Sequence, residues 1–133
     1  MKYDEFVKRA NESRPRRKPR HIESSIQTAC VSWFRLQYPN YLCFAIPNGG
    51  SRNRIEAAHL KREGAMAGVS DLIIITPNAV LFVEMKTAKG KQSEYQKEFE
   101  KRVTALGFEY KVCRSLQDFI LTVEHFIKDK YSV

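Results

Sequence analysis

The sequence has little of what would staple, anchor or export a chain. Its three cysteines, Cys30, Cys43 and Cys113, are odd in number, far apart and set in apolar runs with no C-x-x-C pair. That excludes a disulfide framework and reads as reduced core thiols. The three histidines, His21, His59 and His125, show no ligand spacing with one another or with the cysteines, so no zinc site is expected. No stretch approaches the roughly 20 apolar residues that a bilayer crossing needs, and the N-terminus lacks the apolar core of a secretory signal. A cytoplasmic location away from membranes is the expectation.

What is present suits one folded unit. The 133 residues are 43% hydrophobic and 29% charged, enough to bury a real core and too apolar for a disordered chain. Charge is lopsided: 23 Lys and Arg against 15 Asp and Glu give +8. A basic balance favours polyanions, because each phosphate neutralised by Lys or Arg releases a condensed counterion. Five basic residues and two prolines crowd into Arg14–Arg20, a composition that neither packs a core nor sustains a helix. Residues 1–20 are therefore expected to be a flexible basic arm, either a solvated linker or a strap along phosphates, with a short helix over Tyr3–Ala10. Residues 21–133 form the folded domain.

Ile22, Ile26, Ala29, Cys30, Trp33 and Leu36 or Gln37 form a stripe at helical spacing until Pro39-Asn40 stops it. Tyr41–Ile46 is a continuous apolar run before Pro47-Asn48-Gly49-Gly50 and predicts a buried strand entering a turn. A helix is expected from about Arg52 to Glu63, closing at Gly64. Asp71–Thr76 and Ala79–Lys86 are β-rich runs joined through Pro77-Asn78, the pattern of an antiparallel hairpin. Ser93 and Gln96 make a capping-box pair opening a helix that Gly107 closes. Phe108–Cys113 reads as a last strand. Ser115 to about Lys130 reads as a last helix, with Leu116, Phe119, Ile120, Val123 and Ile127 inward. This order predicts an α/β fold with helices around a mixed sheet of about four strands.

Chemistry concentrates at the end of the second hairpin strand. Alternation puts Glu84 and Lys86 on one face of Phe82-Val83-Glu84-Met85-Lys86, with Val83 and Met85 on the other. Burying charge in such an apolar strand is costly unless it is paired or bound to metal. The pair is either a plain ion pair or part of a site. Asp71, at the near end of the partner strand, favours a site, since the hairpin brings it towards Glu84. It is also open to reading as a turn residue capping the strand entry. Two converging carboxylates suit Mg²⁺ or Mn²⁺, hard ions that keep waters and accept phosphate oxygens. Such an ion polarises a phosphate and acidifies water, while a neighbouring lysine orients that water or stabilises charge growing on phosphorus.

Asp71 followed across a hairpin by Glu84-Met85-Lys86 resembles the PD-(D/E)xK nuclease core. His21-Ile22-Glu23, Pro47-Asn48-Gly49-Gly50, Glu63-Gly64 through Gly68-Val69-Ser70-Asp71-Leu72 and Ser93-Glu94-Tyr95-Gln96 narrow the resemblance to the VRR-NUC branch. It extends from Ile22 to about Cys113. Ser70 departs from it, because the family usually has proline before the aspartate. The resemblance implies a restriction-endonuclease-like core in which Asp71, Glu84 and the main-chain carbonyl of Met85 hold the metal and Lys86 is the catalytic lysine. It also implies that Glu23 reaches the metal site and that Gln96 supports it. Read without the family, Glu23 is a helix-start acid favoured by the dipole and Gln96 a capping residue.

DNA contacts are expected at the turn Asn48-Gly49-Gly50, whose backbone N–H groups with Ser51, Arg52 and Arg54 suit a phosphate cradle. Lys61 and Arg62 farther along that helix, and Lys89 and Lys91 after the catalytic strand, extend the basic surface or simply face solvent. Tyr95, on the helix start that follows, either stacks on a base or is a plain surface tyrosine with no such role. The resulting expectation is a metal-dependent endonuclease of branched or structured DNA, such as a Holliday-junction resolvase working as a homodimer. The rival readings are a flap-type or restriction-like nuclease, and a nucleic-acid-binding module that keeps the core without catalysis.

Overall fold

The structure, a computed structural model, describes residues 2–6, 19–47 and 54–131. The elements run α1 (Pro19–Gln37), β1 (Leu42–Ala45), α2 (Arg54–Arg62), β2 (Leu72–Thr76), β3 (Ala79–Met85), α3 (Glu94–Ala105), β4 (Glu109–Cys113) and α4 (Leu116–Tyr131). The four strands form one mixed sheet in the order β1-β2-β3-β4. β1 pairs antiparallel with β2, β2 antiparallel with β3, and β3 parallel with β4. Parallel neighbours need a long crossover, and α3 is that crossover. Among the described residues no helix is long and apolar enough to cross a membrane.

The hairpin between β2 and β3 closes from Thr76 to Ala79 through Pro77 and Asn78, where Asn78 takes φ 60°. Asparagine is among the few side chains that accept that left-handed backbone. Leu81, Val83 and Met85 of β3 and Leu72 and Ile74 of β2 are completely buried on one face, against α1 and α4. There they meet Cys30, Phe34, Phe119, Val123 and Phe126. Each such side chain contributes about 1.5–3 kcal/mol through its removal from water. The opposite face carries Phe82, Glu84 and Tyr110. α3 covers it through edge-to-face ring contacts of Phe99 with Phe82 at 5.7 Å and with Tyr110 at 6.1 Å.

Several expectations need adjustment. β1 is an edge strand with Leu42 58% exposed, not a buried strand, because the sheet ends there. α1 starts at Pro19, inside the segment expected to resist helix. Proline is tolerated at a first helical position, where its missing N–H has no helical partner. Residues 3–6 form one helical turn whose Phe6 sits in the main core, so that part of the expected arm is docked. Residues 7–10 of the short N-terminal helix and Arg14–Lys18 of the basic cluster lie outside the described residues. Phe34 and Phe126, not anticipated inward, are buried, whereas Leu36 is more than half exposed.

Candidate active site

Asp71 precedes β2 in a bend and does not open the strand as the sequence suggested. Its carboxylate Oδ2 accepts the Met85 backbone N–H at 2.8 Å, tying the start of one hairpin strand to the end of the other. Its own carbonyl accepts the Ile46 N–H at 2.9 Å, so the same residue also fixes the end of β1. Ser70, fully buried, donates its hydroxyl to the Leu72 carbonyl at 3.1 Å. That hydrogen bond holds the turn that the family usually stiffens with proline.

Glu84 is 1% exposed, and each of its oxygens accepts a hydrogen bond. Gln96 Nε2 donates to Oε1 at 3.1 Å and the Tyr110 hydroxyl donates to Oε2 at 3.2 Å. Burial first, then the hydrogen bond to Asp71 and the Asp71 charge, push its carboxyl up to about 9, against the pull of Lys86 and Tyr110. A buried acid beside another acid retains a proton, because neither desolvation nor repulsion favours a second charge. Asp71 and Glu84 are thus close neighbours.

Gln96 serves two purposes. Its side-chain oxygen accepts the Ser93 N–H at 2.8 Å and its backbone N–H donates to Ser93 Oγ at 3.2 Å, completing the capping box of α3, while its amide nitrogen holds Glu84. The capping reading expected of this residue is observed, and the same side chain also contacts Glu84. Glu23 lies past the first turn of the lengthened α1, where the dipole contribution has faded. Its carboxyl is raised by burial and by Asp71 and lowered by Lys86, which places it within electrostatic reach of both. Lys86 follows the last residue of β3, its N–H bonded to the Cys113 carbonyl at 2.9 Å.

Tyr110, Gln92, Glu100 and Arg114 escaped the sequence reading. Gln92 Nε2 donates to the Tyr110 hydroxyl at 3.3 Å and to Glu100 Oε1 at 3.2 Å. With that donor on its oxygen, the Tyr110 hydroxyl directs its single proton at Glu84. The usable signal was the polar-tipped aromatic in Glu109-Tyr110-Lys111, but only the β3/β4 register, Phe82 beside Tyr110, reveals its reach. Arg114 Nη1 donates to the carbonyls of Thr87 at 2.8 Å and Gly90 at 2.7 Å, gathering the loop that follows Lys86. A lone arginine after a strand gives no such hint.

Of the expected DNA contacts, Arg54, Lys61 and Arg62 are exposed on α2, and Lys89 and Lys91 are exposed on the loop after β3. Arg62 Nη2 lies 2.9 Å from His59 Nδ1. Asn48, Gly49, Gly50, Ser51 and Arg52 lie outside the described residues.

This arrangement has recognisable relatives. The family model of the VRR-NUC domain matches residues 21–117. The chain belongs to the VRR-NUC family. Among solved structures, one described as a VRR_NUC domain protein is 22% identical over 86% of this chain and 92% of its own, with a TM-score of 0.65. Another, described as a VRR_NUC domain, is 23% identical over 78% of this chain and 96% of its own, with a TM-score of 0.57. At that identity the two structures speak for the fold alone. No curated protein matches. Membership in the VRR-NUC family carries a nuclease-type function, and Asp71, Glu84 and Lys86 all fall within the matched residues. α4 lies almost wholly beyond the matched region, yet it supplies Phe119, Val123 and Phe126 to the core of this VRR-NUC domain.

The donor set fits a hard divalent cation. Glu84 is buried and keeps its proton through desolvation first and the neighbouring Asp71 second, and a cation would replace that proton. Among the described residues no three Asp, Glu, His or Cys side chains gather as a complete metal cage. A Mg²⁺-like ion does not require one, since it keeps water and takes phosphate oxygens in the remaining positions.

Proposed function

We propose that this VRR-NUC domain is a metal-dependent endonuclease that hydrolyses phosphodiester bonds in structured or branched DNA. The observation that carries this reading is buried Glu84 next to the half-buried Asp71 and beside Lys86, with Glu84 held by Gln96 and Tyr110. A module that only binds DNA gains nothing from acids that repel phosphate, and burying Glu84 costs stability that simple binding does not repay.

Asp71, Glu84 and the main chain at Met85 would hold Mg²⁺ or Mn²⁺, with Glu23 beside them. When bound, the ion supplies charge neutralisation at the scissile phosphate and acidification of water. Lys86 stabilises the charge that accumulates on the phosphoryl oxygens, or takes the proton of the attacking water. Gln96 and Tyr110 fix both oxygens of Glu84, so that little reorganisation is needed as charge develops. Arg54, Lys61, Arg62, Lys89 and Lys91 hold the DNA backbone. A twofold pair of copies would present two sites to a four-way junction, which requires two symmetric incisions.

Cleavage of four-way junction, flap, splayed-arm, duplex and single-stranded DNA with Mg²⁺ or Mn²⁺ tests this. Lys86→Ala is expected to abolish cutting while leaving metal and DNA affinity nearly unchanged, as a group serving the transition state should. Near wild-type cleavage by that variant would overturn the assignment.

A further inference from the structure

A cleft of about 330 Å³ opens between α2 and the first turn of α3. Ala57, Leu60, Met66, Ala67 and Tyr95 give it apolar walls, Lys61 stands at it, and none of its lining residues is acidic. The surface is unusually open for its chemistry. α2 has no buried residue, Tyr95 is 69% exposed and Met66 is 47% exposed.

The cleft adjoins the candidate active site through two covalent neighbours. Tyr95 precedes Gln96, whose side chain holds Glu84, and Ala67 begins the short run to Asp71. Between them Gly68, at φ 82°, packs against the Tyr95 carbonyl so closely that a β-carbon would overlap it. The loop and the helix start are therefore held together, and the cleft is a fixed neighbour of the catalytic carboxylates.

We propose that this cleft receives an unstacked nucleobase of the strand being cut, with Tyr95 as the stacking surface and Lys61 on the flanking phosphate. The inference rests on the nuclease reading and deepens it: the preferred substrate carries an unpaired nucleotide beside the cleaved bond. An exposed aromatic ring, a polarisable methionine and a cation in a lining free of acids match a base and its phosphate. The volume lies at the small end of ligand sites, and a base still stacked and paired inside a duplex cannot present its face to Tyr95.

Binding of single-stranded oligonucleotides containing 2-aminopurine, without divalent metal so that no strand is cut, tests the proposal. Wild type is expected to quench 2-aminopurine, and Tyr95→Ala to lose the quenching and bind at least about fivefold more weakly, the low end of base–aromatic stacking. Tyr95→Phe, which keeps the ring, should retain both. Lys61→Ala should lower the slope of log affinity against log salt by about one contact. Unchanged quenching and affinity in Tyr95→Ala would overturn the base site even if wild type cuts DNA. Quenching that depends on Tyr95 in a protein that cuts no DNA would uphold the base site and retire the nuclease reading.

Discussion

Replacing Tyr110 with phenylalanine removes one oxygen and tests how Glu84 is tuned. The ring keeps its contact with Phe99 at 6.1 Å, and Gln92 keeps Glu100 as a partner, so the fold is expected to lose only about 1 kcal/mol. Glu84 loses the donor that favours its charged form. A hydrogen bond to a charged group contributes about 1.5–3 kcal/mol, and about 1.4 kcal/mol corresponds to one pKa unit. The acid limb of the pH–rate profile should therefore move up by about one unit or slightly more. At a pH on that limb the rate falls about tenfold, because the ionised fraction does. A bound metal would lower the Glu84 titration in both proteins alike, so their offset would remain. Single-turnover cleavage across the acid limb at saturating Mn²⁺ measures it, with KM for DNA expected to hold. A Tyr110→Phe profile superimposed on that of wild type would refute the claim that this hydroxyl eases the ionisation of Glu84 against its burial.

Glu84 also predicts how the metal-free protein melts. Its folded-state carboxyl lies near 9 against an ordinary 4.5. Its contribution to stability is thus fully present below the ordinary value and is lost as pH rises through the folded one. Thermal melts in chelator should show wild type weakening across that window and Glu84→Gln holding steady; a Glu84→Gln protein less stable than wild type at pH about 9 would contradict this. Arg114→Ala frees the carbonyls of Thr87 and Gly90 and should speed hydrogen exchange in residues 87–92 while raising KM more than it lowers kcat, an expectation that unchanged exchange would defeat. Gly68→Ala combines a left-handed backbone with overlap against the Tyr95 main chain, and should cost more than about 1–3 kcal/mol, read from denaturant midpoints. A neutral midpoint would mean that the approach of the loop to α3 is looser than drawn.

Much of this was legible because local chemistry and tertiary structure agree. Pro77-Asn78 between two β-rich runs gives the hairpin, Ser93 with Gln96 gives the start of α3, and the acid–lysine alternation gives the site-bearing strand. What stayed hidden depends on register and reach. The partnership of Tyr110 with Glu84 follows from a parallel pairing that no single segment encodes. The exposure of Leu42 follows from β1 lying at the edge of the sheet, which periodicity does not report. Phe34 and Phe126 were missed because a helix buried against both a sheet and another helix hides a wider stripe than one apolar spacing marks. The helix start at Pro19 was missed because the same residue both forbids helix interiors and suits helix beginnings.

The parallel seam between β3 and β4 orders the events by which a newly made chain becomes competent. Asp71 and Met85 meet within one hairpin, a contact that closes early because its loop is short. Gln96 and Tyr110 arrive only after α3 has formed and β4 has found its place alongside β3, a non-local pairing that is slower to find. Until then Glu84 has neither of its two fixed donors and remains open to water. A chain stopped before β4 would carry the complete motif of acids and lysine without the geometry that makes them act together. The full hydrogen bonding of Glu84 is thus tied to completion of the sheet, and the chemistry proposed for β3 would wait on the last strand.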